Sequence, residues 1–523
     1  MSKLTNATRT LSKMGFDEAD KFVSYIRGNF TKPVSVILEV NSPESFVSLS
    51  IANVARNIAP LLINDVIAIS FYDKNQCDAI QKLKKSIEPT SIKYFNLDIT
   101  DDVSSMSSEV LFNNDDLLNI TKNPDNIKRL STFVSRSILY YISNITNGIV
   151  LSSIHADDLS AKKYDEIYEM VGDVNLVGKF TKDEIDQLGQ MYEIPILEHT
   201  KNQYGTYIKN KPYNVDNCCS MKNDLDNSNI HVFSDQHSTT YQMSQSLQNV
   251  LHSMRGPFDA NQWIYSMAHT FNKFLKDRSI STIIIAVSGG VDSAVSLGIA
   301  NKTKELFYNE LNIIPVAIPI GSTASIQNRA YEQCSQMHIN CLTANLTHIH
   351  DNLCQKVTSE LSLCRNGFSD GCFKSSLRAP VLYYMSILRG DSIVLGTGNK
   401  SEDGYLRYFS KSGDGLVCVQ LISNLYKAYV TEVGRCLNII PSILQAVPSA
   451  DLFDNQTDEG ELCFSYDFVE LYMRLQEEPI STRTKIINGF SSSVKFEFNK
   501  FEQLVNNVHQ RNKHKAELAI LLY

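Results

Sequence analysis

The sequence predicts two α/β domains in tandem, each built on a doubly wound parallel sheet. Three observations predict this architecture: short apolar runs alternate with amphipathic stretches, much of the first half recurs in the second, and a small-residue loop joins one apolar run to one amphipathic stretch. The runs Ile283–Val287 and Ile314–Ile318 have the length and composition of buried parallel strands, and Ser293–Lys304 and Leu425–Leu437 have those of helices.

Composition and charge are those of an ordinary globular protein. Of 523 residues, 43% are apolar and 20% are charged, and the net charge is −8, which argues against disorder and gives no electrostatic reason to bind nucleic acid. No run approaches the roughly 18 apolar residues that cross a bilayer, and the N-terminal residues lack the apolar stretch of a signal peptide. Eleven cysteines without a CxxC pair favour free thiols in a reducing compartment. We therefore expect a cytoplasmic protein that binds neither nucleic acid nor a membrane.

The two halves of the chain share three blocks of sequence in the same order. The paired blocks are Pro33–Asn53 with Ser281–Asn301, Ser137–Asp158 with Pro380–Asp403, and the segments that begin at Gly172 and Gly413. The first pair agrees at eight of 21 positions with a constant offset of 248 residues. Three ordered blocks indicate a tandem duplication. The alternative is two unrelated α/β units that share strand and helix composition.

A polar stretch separates the two copies. Residues 202–246 are rich in Asn, Ser, Asp and Gln, lack apolar periodicity and contain Cys218 and Cys219, which is typical of a linker or a long loop. We therefore expect a first domain at residues 1–200, a linker at 201–255 and a second domain at 256–523.

The strongest chemical signal is the loop Ser288–Ser293, which reads SGGVDS between a predicted strand and a helix predicted to begin near Ala294. Small residues let backbone amides approach a phosphate group, and the helix N-terminus adds partial positive charge. The adjacent Gly289 and Gly290 allow close backbone approach. Asp292 beside phosphates needs a bridging cation, so the loop predicts Mg²⁺. The Walker A pattern GxxxxGK[ST] is absent.

The SGGVDS loop resembles the pyrophosphate loop of the N-type ATP pyrophosphatases, which cleave ATP to AMP and pyrophosphate while adenylylating a carbonyl oxygen. Two further segments, Gly396–Gly415 and Pro448–Asp467, look closely like the NAD synthetase family. The resemblance is specific from about Phe258 to the C-terminus. It implies the adenine-nucleotide alpha-hydrolase-like (Rossmann-like) fold and a C–N bond-forming ligase. Such a ligase amidates nicotinic acid adenine dinucleotide (deamido-NAD) with ammonia, with ATP as co-substrate, through an adenylylated carboxylate.

The resemblance also implies roles for single residues. Asp292 and Lys427 would be catalytic, and Asp292 and Glu402 would hold Mg²⁺. The residues implied to bind ATP are Ser288, Gly289, Gly290, Asp292, Ser293, Thr397, Lys427 and Ser449. Those implied to bind deamido-NAD are Lys411, Arg378, His514 and Lys515. Lysines and Mg²⁺ suit this chemistry because charge builds on the α-phosphate and on the departing pyrophosphate.

Two positions depart from the family pattern at the deamido-NAD end of the site. Ser376 stands where the family carries the first of two arginines, and Cys418 stands where it carries an aspartate. The residues implied to bind ATP are thus kept, while two positions that the family uses for the acyl substrate carry other residues.

The first copy has lost the nucleotide chemistry. The counterpart of SGGVDS is Val40–Ser45, in which no glycine remains and Pro43 removes an amide donor. The counterpart of GTGNKSE is Ser152–Asp158, although Lys182 does align with Lys427. We expect this copy to be inactive. Because NAD synthetases resembling the second half are homodimers whose dinucleotide site crosses the interface, the two copies would form an intrachain pseudo-dimer with one working centre.

Other functions remain open at this point. Glutamine-dependent NAD synthetases carry an amidase of about this length before the synthetase, but the first half shows no convincing Glu, Lys and Cys triad. A non-catalytic sensor of nucleotides and another amidating or thiolating pyrophosphatase are the further alternatives. The expected partners are the small molecules ATP, deamido-NAD and ammonia, and assembly into a further homo-oligomer stays open.

Overall fold

The computed structural model describes residues 2–72, 77–87, 92–112, 123–161, 171–191, 242–452, 456–516 and 520–521. Most of the predicted linker, with Cys218 and Cys219, lies outside the described residues, as does the predicted boundary at residue 200. Within the described ranges, no helix has both the length and the apolar character to cross a membrane.

The first half alternates strands with helices from its first strand onward. Its elements are α1 (Ser2–Asn29), β1 (Val34–Glu39), α2 (Pro43–Ile58), β2 (Ile63–Ser70), α3 (Cys77–Ile87), β3 (Lys93–Asn96), α4 (Thr100–Phe112), α5 (Pro124–Thr146), β4 (Gly148–Ser152), α6 (Ala156–Ala161), β5 (Val174–Asn175) and α7 (Lys182–Met191).

The second half repeats this alternation and then adds a helical C-terminal region. Its elements are α8 (Gln245–Met254), α9 (Ala260–Asp277), β6 (Thr282–Ala286), α10 (Val291–Phe307), β7 (Asn312–Ala317), α11 (Ala324–Gln336), β8 (Leu342–Thr343), α12 (Thr347–Glu360), α13 (Gly367–Arg389), β9 (Ser392–Gly396), a π-helical stretch (Lys400–Leu406), β10 (Val419–Gln420), α14 (Lys427–Cys436), α15 (Pro441–Leu444), α16 (Asp458–Leu462), α17 (Tyr466–Glu477), α18 (Ile480–Asn488), α19 (Ser492–Asn512), a 3₁₀ turn (Lys513–Ala516) and β11 (Ile520–Leu521).

The two sheets have the same strand order. The first runs β5-β4-β1-β2-β3 and the second runs β10-β9-β6-β7-β8, and all the strand pairs are parallel. The chain starts each sheet in the middle, builds outward to one side and then returns to the other, which is the doubly wound arrangement. The predicted fold class is confirmed, and the predicted strands and helices lie within a few residues of β6, β7, α10 and α14.

Equivalent strand-to-helix turns are built alike in the two halves. Ser42 caps α2, and Gly290, which lies 248 residues later, caps α10. In the first half the Ser45 hydroxyl donates to the Ser42 carbonyl at 2.7 Å. In the second half the Ser293 hydroxyl donates to the Gly290 carbonyl at 3.0 Å. Helix α10 begins at Val291, three residues before the predicted start, because the Ala294 amide donates to the Gly290 carbonyl at 3.2 Å and closes the first helical turn there.

The two halves share one hydrophobic core. Ile37 of the first sheet and Ile284 of the second belong to the same buried cluster, with α5 and α13 between the sheets. The Tyr141 ring stacks on Phe373 with the ring centroids 4.6 Å apart. The Tyr141 hydroxyl donates to the Asp370 carboxylate at 2.7 Å. This hydrogen bond helps to fix how α5 and α13 align along their apolar contact.

Both ends of the second half reach beyond its own sheet. Helix α8, inside the predicted linker, packs on α17 through the buried Leu247 and Leu251. At the C-terminus, β11 pairs in parallel with β5 and so becomes the edge strand of the first sheet. The last described residues of the chain are therefore attached to the first half.

Candidate active site

The SGGVDS loop lies at the carboxyl end of β6, the middle strand of the second sheet. The hydroxyls of Ser288 and Ser293 are 3.2 Å apart, and the Gly290 amide donates to Ser288 at 3.3 Å. Gly289 has φ +80°, and a Cβ there would lie 2.2 Å from the Ile326 carbonyl oxygen of α11. A glycine is required at this position, and the helix that follows supplies the partial positive charge for an anion.

Gly289→Ala is expected to lower the free energy of unfolding by about 1–3 kcal/mol, because alanine strains a positive φ and meets the backbone of α11. Gly290→Ala is the matched control: Gly290 has φ −92°, and a Cβ there meets only the Ser288 hydroxyl at 3.3 Å. We expect the control to change stability by less than about 1 kcal/mol in urea unfolding. Equal effects of the two substitutions would contradict this view of the loop.

Three segments of the second half bring charged groups together beside the loop. Lys427, the first residue of α14, forms ion pairs with Asp292 and with Glu402, the latter at 2.6 Å. Asn399 donates to Asp292 at 2.9 Å, and its side-chain oxygen accepts from the Glu402 amide at 3.0 Å. The three charged side chains are only 12–18% exposed. The structure thus unites three of the predicted residues, Asp292, Glu402 and Lys427.

Three further side chains in this site were not assigned a role from the sequence. The buried Asp458 accepts from the Tyr466 hydroxyl at 3.1 Å, and the Lys427 ammonium lies 5.4 Å from the centre of the Tyr466 ring. Asn399 is the third unassigned residue. It lies inside the GTGNKSE segment, and Asp458 lies inside the segment Pro448–Asp467. Both motifs therefore pointed to these residues, but neither could predict which side chains would be in contact.

The electrostatics of the site follow from burying several carboxylates with one ammonium. Burial raises the pKa of Glu402, although the positive charge of Lys427 acts to lower it. Burial together with Glu402 raises the pKa of Asp458 to about 7. Burial alone would lower the pKa of Lys427, but Asp292 and Glu402 hold it above its usual value. Lys427 therefore stays charged, while Glu402 and Asp458 take up a proton more readily than exposed carboxylates do.

This donor set fits a divalent cation of the magnesium type. The carboxylates of Asp292 and Glu402 are the hard oxygen ligands that such an ion prefers, and the Lys427 ammonium between them marks a place where positive charge is favoured. In the described part of the chain, no group of three or more His, Cys, Asp and Glu side chains could hold one ion. Magnesium usually binds through one or two carboxylates and completes its shell with phosphate oxygens and water, so two carboxylates suffice.

The residues predicted to bind the acyl substrate are buried or half-buried, and one of them, Lys411, contacts the first half. Lys411 is buried, and its ammonium donates to the Gly172 carbonyl at 2.6 Å. Lys515 is fully buried in the 3₁₀ turn, where burial lowers its pKa, and it donates to the Phe409 carbonyl at 3.0 Å. His514 is half-buried beside it. Arg378 on α13 donates to the Ile318 carbonyl at 3.1 Å, just beyond the end of β7.

The remaining predicted residues line the end of the second sheet. Thr397 directly follows β9 and is half-buried. Ser449 lies on an exposed loop, where its hydroxyl accepts from the Asp451 amide at 3.1 Å. Ser376, at the position of the family's first arginine, is buried, and its hydroxyl lies 3.0 Å from that of Ser410. Cys418 is exposed next to β10.

The equivalent place in the first half carries different chemistry. His155, the counterpart of Asn399, is 4% exposed, and its Nε2 lies 3.1 Å from Asp158 and 3.9 Å from Glu44. Glu44 and Asp158 are the counterparts of Asp292 and Glu402. The side chain of Lys182, the counterpart of Lys427, is exposed. A histidine thus occupies the space between the two acids, and no glycine loop precedes it.

Known proteins resemble the second half of this chain. A family model described as NAD synthase matches residues 264–519. The NH(3)-dependent NAD(+) synthetase of Thermoplasma volcanium is 33% identical over 40% of this chain and 82% of its own length. That of Helicobacter pylori is 30% identical over 50% of this chain and 96% of its own length. The chain belongs to the NAD synthase family. The SGGVDS loop and the Asp292, Glu402 and Lys427 cluster all lie inside the region that matches this family.

A further relative and a solved structure each match about half of the chain. The NH(3)-dependent NAD(+) synthetase of Pyrococcus furiosus is 31% identical over 47% of this chain and 90% of its own length. Among solved structures, the NMN synthetase of Francisella tularensis is 24% identical, covers 50% of this chain and 98% of its own, and has a TM-score of 0.43. The matches to the NAD synthase family thus account for about half of the chain.

Proposed function

We propose that the chain is an ammonia-dependent NAD⁺ synthetase, a ligase that amidates deamido-NAD while ATP is cleaved to AMP and pyrophosphate. Membership in the NAD synthase family and relatives named NH(3)-dependent NAD(+) synthetase support this activity. The observation that carries the proposal is the meeting of Asp292, Glu402 and Lys427 beside the SGGVDS loop. This arrangement suits a polyphosphate with a bound cation.

In this proposal the loop residues Ser288, Gly289, Gly290 and Ser293 bind the phosphates of ATP through amides and hydroxyls. Thr397 and Ser449 contact the same nucleotide. Asp292 and Glu402 hold Mg²⁺, which when bound neutralises charge on the phosphates. Lys427 donates to the same phosphate oxygens once the carboxylates are shared with the cation.

The reaction joins two substrates without a nucleophilic side chain. The carboxylate of deamido-NAD attacks the α-phosphate of ATP, pyrophosphate leaves, and an acyl adenylate forms. Ammonia then attacks the acyl carbon, loses a proton, and AMP departs. The buried Lys427 stabilises the charge that develops on the phosphate oxygens, an effect worth several kcal/mol in a site that excludes water. Lys411, Arg378, His514 and Lys515 bind deamido-NAD, and Ser376 and Cys418 replace the two side chains that this family usually supplies.

The first half is, in our proposal, a degenerate copy of the synthetase domain that forms a pseudo-dimer with the second. The shared strand order, the equivalent caps at Ser42 and Gly290, and the packing of α5 on α13 support a duplication. The domains would be residues 1–200 and 256–523, with a linker at 201–255. The His155 ring lies between Glu44 and Asp158, so this half has a side chain where the second half would hold a cation between two carboxylates.

Removal of residues 1–241 is expected to abolish activity and to cause self-association, because it exposes the apolar face of α13 around Phe373 and Tyr384. Size-exclusion chromatography with light scattering and a turnover assay would measure both effects. The full chain is the control. A monomeric, fully active second half would contradict the pseudo-dimer.

The nitrogen donor in this proposal is ammonia rather than glutamine. The first half is a parallel α/β sheet, whereas the amidase of glutamine-dependent members needs a Glu, Lys and Cys triad on a sandwich. The purified chain, supplied with ATP, Mg²⁺ and deamido-NAD, should form NAD⁺ and AMP with ammonium chloride and at least about tenfold more slowly with glutamine. Absence of NAD⁺ and AMP with ammonium would contradict the proposed activity.

The eight free cysteines of the described residues support a cytoplasmic location.

A further inference from the structure

The segment Gly172–Asn175 of the first half contacts two separate parts of the second half. The Gly172 carbonyl accepts from the Lys411 ammonium at 2.6 Å. Two residues later, Val174 and Asn175 pair in parallel with Ile520 and Leu521 of β11. One four-residue segment therefore contacts both the turn that carries Lys411 and the tail that follows His514 and Lys515.

The turn and the tail are themselves tied together. The Lys515 ammonium donates to the carbonyls of Arg407 and Phe409, and the Asn512 amide donates to the Leu406 carbonyl at 3.0 Å. The chain around residues 406–411 and the chain around residues 512–515 thus form one unit. This unit contacts the first half at Lys411 and, further along the chain, at β11.

The segment Gly172–Asn175 is held firmly within its own half. The Asp173 amide donates to the Val150 carbonyl at 2.7 Å, and the Asp173 carboxylate accepts from the Val150 amide at 2.9 Å. The Asn175 side chain donates to the Ile154 carbonyl at 2.8 Å. A Cβ at Gly172 would lie 2.5 Å from the Ser152 amide nitrogen, so β4 and this segment are in close contact. The central sheet of the first half therefore fixes the position of the segment.

We propose that Gly172–Asn175 is a positioning element that the inactive half supplies to the deamido-NAD end of the active site. The inference rests on the proposed function, since it takes Lys411, His514 and Lys515 as deamido-NAD residues. The Lys411 ammonium is held by the Gly172 carbonyl, so the position of this side chain depends on the first half. The pairing of β11 with β5 holds the tail against the same half. The ATP loop is built within the second half and does not depend on these contacts.

The test uses two variants of the full chain and isothermal titration with Mg–ATP and, separately, with deamido-NAD. Gly172→Ala forces the segment away from Ser152 and so displaces the carbonyl that accepts from Lys411. The double variant Ile520→Pro, Leu521→Pro removes both N–H groups of β11. In each variant we expect the dissociation constant for deamido-NAD to rise at least about tenfold and that for Mg–ATP to stay within about twofold.

Matched controls separate positioning from general damage. Gly189→Ala places a methyl group in open space in the same half, and Ile520→Val, Leu521→Val keeps the strand able to pair. Both controls should bind the two ligands like the wild type. The inference would be overturned if either test variant bound deamido-NAD with unchanged affinity, or if its affinities for deamido-NAD and for Mg–ATP fell by the same factor. Failure of the wild-type chain to bind deamido-NAD would instead contradict the proposed function and overturn this inference with it.

Discussion

Replacing Asp292 by alanine is expected to lower kcat for NAD⁺ formation by at least about 10³-fold. The side chain accepts from Asn399 and pairs with Lys427, and in our proposal it also holds the cation on the ATP phosphates. Its removal therefore takes away a metal ligand and leaves Lys427 with Glu402 as its remaining ion-pair partner among the described residues. Steady-state assays at saturating ATP and Mg²⁺ would measure the change.

The repeat supplies the control for this substitution. Glu44 occupies the equivalent position in the first half, beside His155. Glu44→Ala removes a carboxylate of the same kind from the inactive copy, and we expect it to leave kcat within about threefold of the wild type. An Asp292→Ala enzyme that keeps its activity, or a Glu44→Ala enzyme that loses it, would contradict the placement of the working centre.

Lys427→Met is expected to reduce both activity and stability. The Lys427 ammonium pairs with Asp292 and Glu402 in a site where Asp458 is also buried. Without it, carboxylates face one another with no protein cation, which costs about 3–5 kcal/mol when a buried pair is broken. We expect kcat to fall by about 10² to 10³-fold, because a charge that stabilises the transition state is lost.

The effect of Mg²⁺ on stability provides a specific test of Lys427→Met. In urea unfolding, added Mg²⁺ should raise the midpoint of Lys427→Met more than that of the wild type, since the ion neutralises the same carboxylates, while activity stays low. Lys182→Met in the first half is the control, because the Lys182 side chain is exposed, and it should change stability by less than about 0.5 kcal/mol. Wild-type stability and turnover in Lys427→Met would show that Lys427 is an ordinary helix residue.

The sequence was sufficient to predict the fold and the loop, because each depends on a pattern of neighbouring residues. The apolar runs at β6 and β7 and the small residues of Ser288–Ser293 are each contained in a few consecutive positions. Apolar runs of this length make parallel strands whenever helices cover both faces. The recurrence of part of this pattern in the first half added a second signal.

The contacts between distant segments could not be predicted in this way. Asn399, Asp458 and Tyr466 meet Asp292 and Lys427 only after three segments have folded onto the end of the second sheet. The two-residue strand β11 has too few residues to show a strand pattern, and its partner β5 is more than 300 positions earlier in the chain. Strand pairing at such a separation depends on how the two halves pack, and the β-propensity of single residues does not predict that packing.

The stoichiometry of Mg–ATP binding tests the central claim, a single working centre beside an inert copy, most directly. Isothermal titration of the full chain should give one site per chain. Asp292→Ala should abolish that site, and Glu44→Ala should leave it intact. Two sites per chain in the wild type, or a site that survives in Asp292→Ala and disappears in Glu44→Ala, would contradict the claim.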